Sequence, residues 1–477
     1  MKKIILLFFG CMVSLLLHAQ AAYDFMAVNS DGLRMYYKIS DPVNHYATLT
    51  NGDGGLKNPP QVDPYMAQMQ ALGIKTIRVP ATVENGGVTY QVKAIGYQTF
   101  FGNSYATHLV LPEGLETIEK SGLWLIYTLQ DVNFPSTLKT IKNYALAGLP
   151  TVKVFDLSHT KVTELDNVFG LNFNVEQIIF PETLKTIRGR IGYNSASNFT
   201  SVTIPAAVET MGTFQGDNLN TINMRPATPP TAADGNLQIN ATATVYVPID
   251  ATQPYESAAQ WSAYKGQYRE EVKFGPTGYI SYYLGTENFL VPAGCTAYII
   301  TGVTPSGSIT TPDQAVVKAF TAGKIIPKQT GFILQGTPNS TVIYQANVTG
   351  PEESVTGNLL IGTATEQEFN ASGYKYYIFS NNGDEGLGFY KQGTRNGASI
   401  KLAAHRAGLR LPEAIAPAKG FTIDFESARK EAETTGIRDV RPTVQPRENV
   451  IYDLQGRRVT NPGRGIYIVN GKKVVKW

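Results

Sequence analysis

The phrase FPSTLKTI at residues 134–141 returns as FPETLKTI at residues 180–187. Recurrence at a fixed spacing constrains a fold more tightly than composition does. With Pro135 and Pro181 as reference slots, apolar residues fall at offsets −6, −3, −1, +3 and +6: Leu129, Val132, Phe134, Leu138 and Ile141, then Val175, Ile178, Phe180, Leu184 and Ile187. The template also fits around Pro112 (Ala106, Leu109, Leu111, Leu115, Ile118) and Pro205 (Phe199, Val202, Ile204, Val208, Met211). Ser158 takes the proline slot behind Val152, Phe155 and Leu157, so the slots at 112, 135, 158, 181 and 205 are spaced 23, 23, 23 and 24. Ile74, Ile77, Val79, Pro80 and Val83 begin an earlier copy, with ENGGVTYQV inserted before the next, and Leu219, Ile222 and Met224 begin a decayed later one.

A unit of this length cannot bury its own apolar face, so neighbouring units must stack around a shared core as a solenoid, with one face becoming a long sheet. Apolar residues at −3 and −1 flanking a polar-tolerant position read as a short strand, because alternate side chains point to opposite faces. Proline at the slot has no N–H to donate and ends the strand. The +3 and +6 residues occupy the return path and fill the core from the opposite side. Two outward ranks follow. Positions −2 give Arg78, Val110, Asn133, Asp156, Ile179 and Thr203, and positions −4 give Thr76, His108, Asp131, Val154, Gln177 and Ser201. Their polar members, Thr76, Arg78, His108, Asp131, Asn133, Asp156, Gln177, Ser201 and Thr203, form the candidate binding face, although ordinary exposed sheet positions would look the same. The ranks contain no aromatic ladder for sugar rings and no basic stripe for phosphates.

The stretches LVLPEGLETIEKSGLW, VNFPSTLKTIKNYALAGL and VTIPAAVETMG resemble the BspA-like leucine-rich repeats of bacterial surface proteins, over roughly residues 70–250. That resemblance implies an N-terminal β cap from segments such as DGLRMYYKIS, an early insertion of the ENGGVTYQVKAIG kind, and a closing strand and short helix in ATVYVPIDATQPYESAAQWSAYK. It also implies adhesion or macromolecular binding without catalysis. Where such repeats commonly read AF.GC after the +6 position, this chain has SGLWLIY or YALAGL.

From about residue 275 the period gives way to alternation: GYISYYL, CTAYIITGV, GFILQG, TVIYQANV, YKYYIFS, GFYKQ and GFTIDFE, separated by Gly, Pro, Asn and Ser clusters. Many short strands at such spacing predict an all-β sandwich or barrel. This part resembles a β-module recurring near the C-termini of secreted proteins of gram-negative anaerobes. The polar, proline-bearing ESARKEAETTGIRDVRPTVQPREN reads as a linker. The final ENVIYDLQGRRVTNPGRGIYIVNGKKVVKW resembles a shortened type IX secretion sorting signal, or else is a hairpin finishing the sandwich.

The expected organisation is a signal peptide at 1–21, a β cap at 22–70, a leucine-rich-repeat solenoid at 71–270, a sandwich-like module at 275–426, a linker at 427–447 and a β tail at 448–477. MKKIILLFFGCMVSLLLHAQAAYDF has the charged, apolar and small-residue layout of a secretory leader, and Cys11 raises the rival possibility of a lipid anchor. No later run approaches the ~20 apolar residues that span a bilayer. The chain is therefore expected to be secreted or held at the cell surface.

Only 17% of residues are charged and the net charge is +3, which does not suit a nucleic-acid partner, whereas Tyr 26, Phe 21 and Gly 45 suit a β-rich chain. Removing the leader leaves Cys295, one thiol that cannot form an internal disulfide and that sits in an apolar run. His45, His108, His159 and His405 are scattered, and HExxH, G-x-S-x-G and a phosphate loop are missing from the sequence. TNGDGG at 50–55 could hold calcium through Asn51 and Asp53 but reads more simply as a turn, and the adjacent Glu270 and Glu271 read as a solvated face. The expectation is a non-enzymatic surface protein that needs no cofactor and binds a protein or glycan on a host or neighbouring cell. The alternatives are a hydrolase with its site in the C-terminal module, or a structural stalk. Oligomeric state is not legible.

Overall fold

Each repeat folds as two short strands on opposite sides of a shared core. The computed structural model describes residues 23–52, 63–191, 198–233, 235–307, 311, 313–383, 386–416, 421–438, 451–453, 458–469 and 472–476. The expected leader and Asp53 of the TNGDGG turn lie outside them.

The first strand of each repeat sits where the −4 to −2 pattern places it: Thr76–Arg78, His108–Val110, Asp131–Asn133, Val154–Asp156, Gln177–Ile179 and Ser201–Ile204. The second strand occupies the return path: Thr117–Ile118, Thr140–Ile141, Glu164–Asp166, Thr186–Arg188, Thr210–Met211 and Thr231–Ala232. The long sheet expected on the first-strand side lies here instead. The second strands pair in parallel from turn to turn, continue into the N-terminal strands and make an 11-stranded sheet, whereas the first strands pair in separate groups. Thr-Ile recurs at 117–118, 140–141 and 186–187, β-branched pairs that suit a pleated surface. Flanking amides continue the ladder, with Lys139 N donating to Glu116 O at 2.9 Å and Lys142 N to Ile118 O at 3.0 Å.

Inward residues of the second strands stack as Ile95, Ile118, Ile141, Leu165, Ile187, Met211 and Ala232, none more than 7% exposed. They mark about seven turns of a β-solenoid. The spacing is not strictly 23 throughout: Ile141 faces Leu165, 24 residues on, and Leu165 faces Ile187, 22 residues on, and later steps also vary, with Thr186 facing Thr210 and Met211 facing Ala232. The extra residue before Leu165 enters where Ser158 replaces proline. The turn closes through Ser158 N donating to Asp156 Oδ1 (3.0 Å) and the Thr160 hydroxyl donating to Leu157 O (2.8 Å).

The convex side repeats in conformation without repeating in sequence. Gln98, Ser121, Tyr144, Asn167 and Gly189 all have left-handed φ values, 49°, 57°, 58°, 47° and 77°, and so do Gly102, Leu125, Gly148 and Leu171. The stretches SGLWLIY and YALAGL thus share a left-handed first and fifth residue. At Gly148 a side chain would also collide with Leu125, since a Cβ there would lie 2.2 Å from Leu125 Cδ2.

The N-terminal cap is an antiparallel meander, Phe25–Val28, Arg34–Asp41 and Tyr46–Thr50, joined in parallel to Val88–Ile95. The helix Pro64–Leu72 completes it, capped by Asp63, whose carboxylate accepts from Tyr65 N at 2.9 Å. The inserted ENGGVTYQV makes the hairpin Thr82–Asn85 with Val88–Ile95, its turn formed by Gly86 and Gly87 at positive φ (58° and 80°). At the other end Trp261 packs edge-on against Tyr255 and donates its indole N–H to Pro230 O (2.8 Å).

The strand Tyr268–Lys273 pairs in parallel with Thr244–Tyr246 of the solenoid and antiparallel with Thr341–Tyr344 beyond it. A sheet therefore crosses the expected break at 270–275. The C-terminal region is β-rich, with a five-stranded sheet led by Tyr279–Tyr283 and Thr296–Thr304 and a four-stranded sheet led by Leu360–Thr363 and Tyr374–Gly383. Tyr298, Ile300, Ile333 and Leu409 lie in one buried cluster between them.

Part of the expected linker is ordered: Phe425–Arg438 is a helix. Phe425 packs on Tyr279 and Tyr298 (ring centroids 4.9 and 4.8 Å), and Arg429 pairs with Glu426 and Glu433 at helical spacing. The tail strands Ile451–Tyr452, Arg458–Val459, Gly465–Val469 and Lys472–Lys476 form a sheet whose strands, among the described residues, pair with one another and with no other strand.

Replacing Ile187 by Asp places an unpaired charge in the stacked ladder. A loss of several kcal/mol is expected, and a thermal melt matching wild type would show that this position does not face the core.

Candidate binding face

The first strands bring the nine candidate residues onto one surface in the order read from the sequence. Thr76, His108 and Asp131 align across three strands, as do Arg78, Val110 and Asn133. Val154 aligns with Gln177, and Asp156 with Ile179. Arg78, Asp131, Asn133, Asp156, Gln177 and Ser201 are exposed, and Thr76, His108 and Thr203 are half-buried.

Several of these side chains are already engaged. His108 Nε2 lies 3.6 Å from Asp131 Oδ2, and Arg78 Nε lies 3.4 Å from Asp31 Oδ2. Asn133 is committed to the scaffold: its amide accepts from Leu111 N (2.8 Å) and donates to Leu111 O (2.9 Å). The Asp156 carboxyl is held below its usual range by hydrogen bonds from Ser158, with a smaller contribution from His159. Among the described residues, Gln177 and Ser201 make no side-chain hydrogen bond.

The ranks continue further than the sequence reading took them. Ser201 aligns with Thr221 and Thr244, and Thr203 with Asn223 and Tyr246. The signal was present: TVYVP repeats the strand-proline pattern with Pro248 as its slot, but a shortened preceding repeat hides the period.

These added residues lead into a cleft of about 670 Å³ where the solenoid meets the C-terminal module. Thr203, Asn223 and Tyr246 form one wall, Glu271 and Lys273 a second, and Ile280, Tyr282 and Arg406 of the module a third. Arg225 at the rim pairs with Glu182 at 2.8 Å. Among the described residues, neither Lys273 nor Arg406 has a carboxylate partner. Burial lowers the Arg406 pKa.

Behind the cleft lies a feature contrary to expectation. Glu270 does not belong to a solvated face: strand alternation sends Glu271 to solvent and Glu270 inward, where it is fully buried. Its carboxylate accepts from Asp250 N (3.0 Å), Thr252 N (3.2 Å), the Thr252 hydroxyl (2.8 Å) and the Tyr344 hydroxyl (2.5 Å). Tyr344 also meets the hydroxyl of Tyr282 at 2.7 Å. Glu287, 1% exposed, accepts from Gln253 N (2.8 Å) and stands close to Glu270. Burial first, then the close approach of Glu270 and that residue's charge, drive the Glu287 pKa far above the carboxylate range. The shift favours the protonated form of Glu287 beside Glu270. Both are enclosed and tie the solenoid's closing helix to the module, so in this state they do not offer a substrate an acid and a base.

Cys295 is buried, and burial pushes its thiol up to about 11, which disfavours a nucleophilic thiolate. Among the described residues no three His, Cys, Asp or Glu side chains group as metal ligands, and no helix is long and apolar enough to cross a membrane.

A parallel solenoid of about 23-residue turns with an outward-ranked strand face is the leucine-rich-repeat kind of fold. Residues 93–223 match the BspA type leucine rich repeat region in six copies. No curated protein matches the chain. Among solved structures, a leucine-rich repeat protein from Bacteroides ovatus is 14% identical over 48% of this chain and 65% of its own, with a TM-score of 0.26. The match thus spans less than two thirds of that relative. A leucine rich cell surface protein from Faecalibacterium prausnitzii is 17% identical over 48% of this chain and 71% of its own (TM-score 0.28). The T. pallidum leucine rich repeat protein is 14% identical over 40% and 82% (TM-score 0.28).

The carboxyl pair predicts a pH dependence with a definite sign. The folded chain keeps a proton on Glu287 that the unfolded chain releases above the ordinary glutamate value of 4.5, so its contribution is full in acid and declines as pH rises from there through neutrality. Asp63, pushed up to about 7 by burial, acts in the same direction between 3.8 and about 7. In denaturant unfolding, Glu287→Gln keeps a hydrogen-bond donor without a titrating proton and should flatten the slope above pH 5. An unchanged slope would place the proton elsewhere.

Proposed function

We propose that the chain is an exported, non-catalytic surface protein that binds a protein or glycan through the first-strand face of its repeats. The observation that carries this is the alignment of exposed polar side chains across successive turns, with Asp131, Asp156, Gln177 and Ser201 directed away from the core. A face of stacked strands offers an extended surface to a large partner. Proteins with BspA-type repeats are usually found at the cell surface, which supports the same location for this one. The C-terminal module is proposed as a companion domain and the tail as a secretion sorting signal. The tail reading is supported by the separate pairing of its strands and by the exposure of Ile466, Val474 and Val475.

The test of the face is a variant with Arg78, Asp131, Asp156 and Gln177 all replaced by alanine, set against the wild type on glycan and extracellular-matrix arrays. Binding should fall at least tenfold while the melting temperature stays within a few degrees. Equal binding would favour the stalk.

Deleting residues 448–477 tests the tail. An unchanged melt with lost surface exposure is expected in cells, and a lowered melt with surface exposure retained would make the tail part of the module instead.

A further inference from the structure

Charges along the return face are matched from turn to turn: Glu116 takes both Lys93 (3.1 Å) and Lys139 (2.7 Å), and Lys142 pairs with Glu119 (2.6 Å). The junction cleft breaks this habit. Its lining carries Arg225, Lys273 and Arg406 against the single carboxylate of Glu271. Arg225 is neutralised by Glu182, which leaves Lys273 and Arg406 facing Glu271 alone, and among the described residues neither forms an ion pair. Arg406 is the more informative, because its guanidinium is half-buried and has only a long contact, 3.5 Å, to its neighbour's carbonyl at His405. Withdrawing a guanidinium from water without a carboxylate is unfavourable, and a planar fork of donors matches a carboxylate in two parallel hydrogen bonds.

The rest of the wall is suited to hydroxyl groups. The Thr203 hydroxyl, the Asn223 amide and the Tyr246 side chain stand side by side on successive strands, and Asn223 Nδ2 donates to Thr203 Oγ1 over a long 3.3 Å, a bond a ligand hydroxyl can exchange for its own. Tyr246 also supplies ring surface. A volume of about 670 Å³ falls within the range of about 300–1,000 Å³ usual for small-ligand sites. An extended peptide would dock by adding a strand, but the edge of Tyr268–Lys273 on the module side is already taken by Thr341–Tyr344.

We propose that this cleft binds the carboxylate of an acidic saccharide, with Arg406 and Lys273 on the carboxylate and Thr203, Asn223 and Tyr246 on the sugar. The proposal deepens the binding role argued above by giving the repeat face a cationic anchor for an acidic ligand at its C-terminal end.

The test titrates the full-length protein with glucuronate-capped and sialate-capped oligosaccharides, their neutral glucose-capped and galactose-capped counterparts, a glutamate-rich peptide and inorganic phosphate. At least one acidic saccharide should bind tenfold or more tighter than its neutral counterpart and weaken with added salt. Arg406→Gln should abolish that preference, and Lys273→Gln, at an exposed position with little bearing on folding, should reduce it several-fold with an unchanged melt. Equal affinity for acidic and neutral sugars, undiminished preference in both variants, or no saccharide binding would overturn the proposal. Selective capture of the peptide, or phosphate competing as strongly as glucuronate, would equally overturn the acidic-sugar assignment. The cleft variants leave Arg78, Asp131, Asp156 and Gln177 in place, and the quadruple alanine variant leaves the cleft intact, so the two ideas fail separately.

Discussion

Parallel pairing between consecutive turns, with one inward side chain stacked on the next from Ile95 to Ala232, is the interaction on which the solenoid depends. No turn has enough apolar surface to stand alone, so each is stable only between its neighbours. The N-terminal meander covers the first turn by joining its strand Tyr46–Thr50 to Val88–Ile95. Trp261 and Tyr255 help close the other end. Because the scaffold is a ladder, outward residues one period apart come to lie side by side, and a binding face follows from the same repetition that makes the core.

Tyr268–Lys273 is the second point of dependence. It is at once the last parallel strand of the solenoid and an antiparallel partner of the C-terminal module. Its alternation sends Tyr268, Glu270 and Val272 inward and Glu271 and Lys273 outward. The inward Glu270 binds the closing helix of the solenoid and Tyr344 of the module through one carboxylate, while outward Glu271 and Lys273 face the cleft. One short strand thus both joins two parts of the chain and shapes the surface between them. The burial of the Glu270 carboxyl is compensated by four hydrogen-bond donors.

What the sequence determined by itself was whatever repeats or alternates. A 23-residue period with fixed apolar offsets requires stacking, and it placed the inward Ile187 and the outward Asp131, Asp156 and Gln177 correctly, because a strand leaves each side chain only two directions. Tertiary structure decided what depends on partners remote in sequence. Which strand set became the continuous sheet was settled by hydrogen bonding between turns. The shifted register at Leu165 came from one extra turn residue. The first half of the expected linker became a helix because Phe425 found Tyr279 and Tyr298. Glu270 and Glu271 looked alike as neighbours, yet their environments were set by Tyr344, 74 residues away, and by a cleft wall supplied in part by Arg406. Such contacts leave no local period to read, since burial and charge compensation depend on chain segments that only folding brings together.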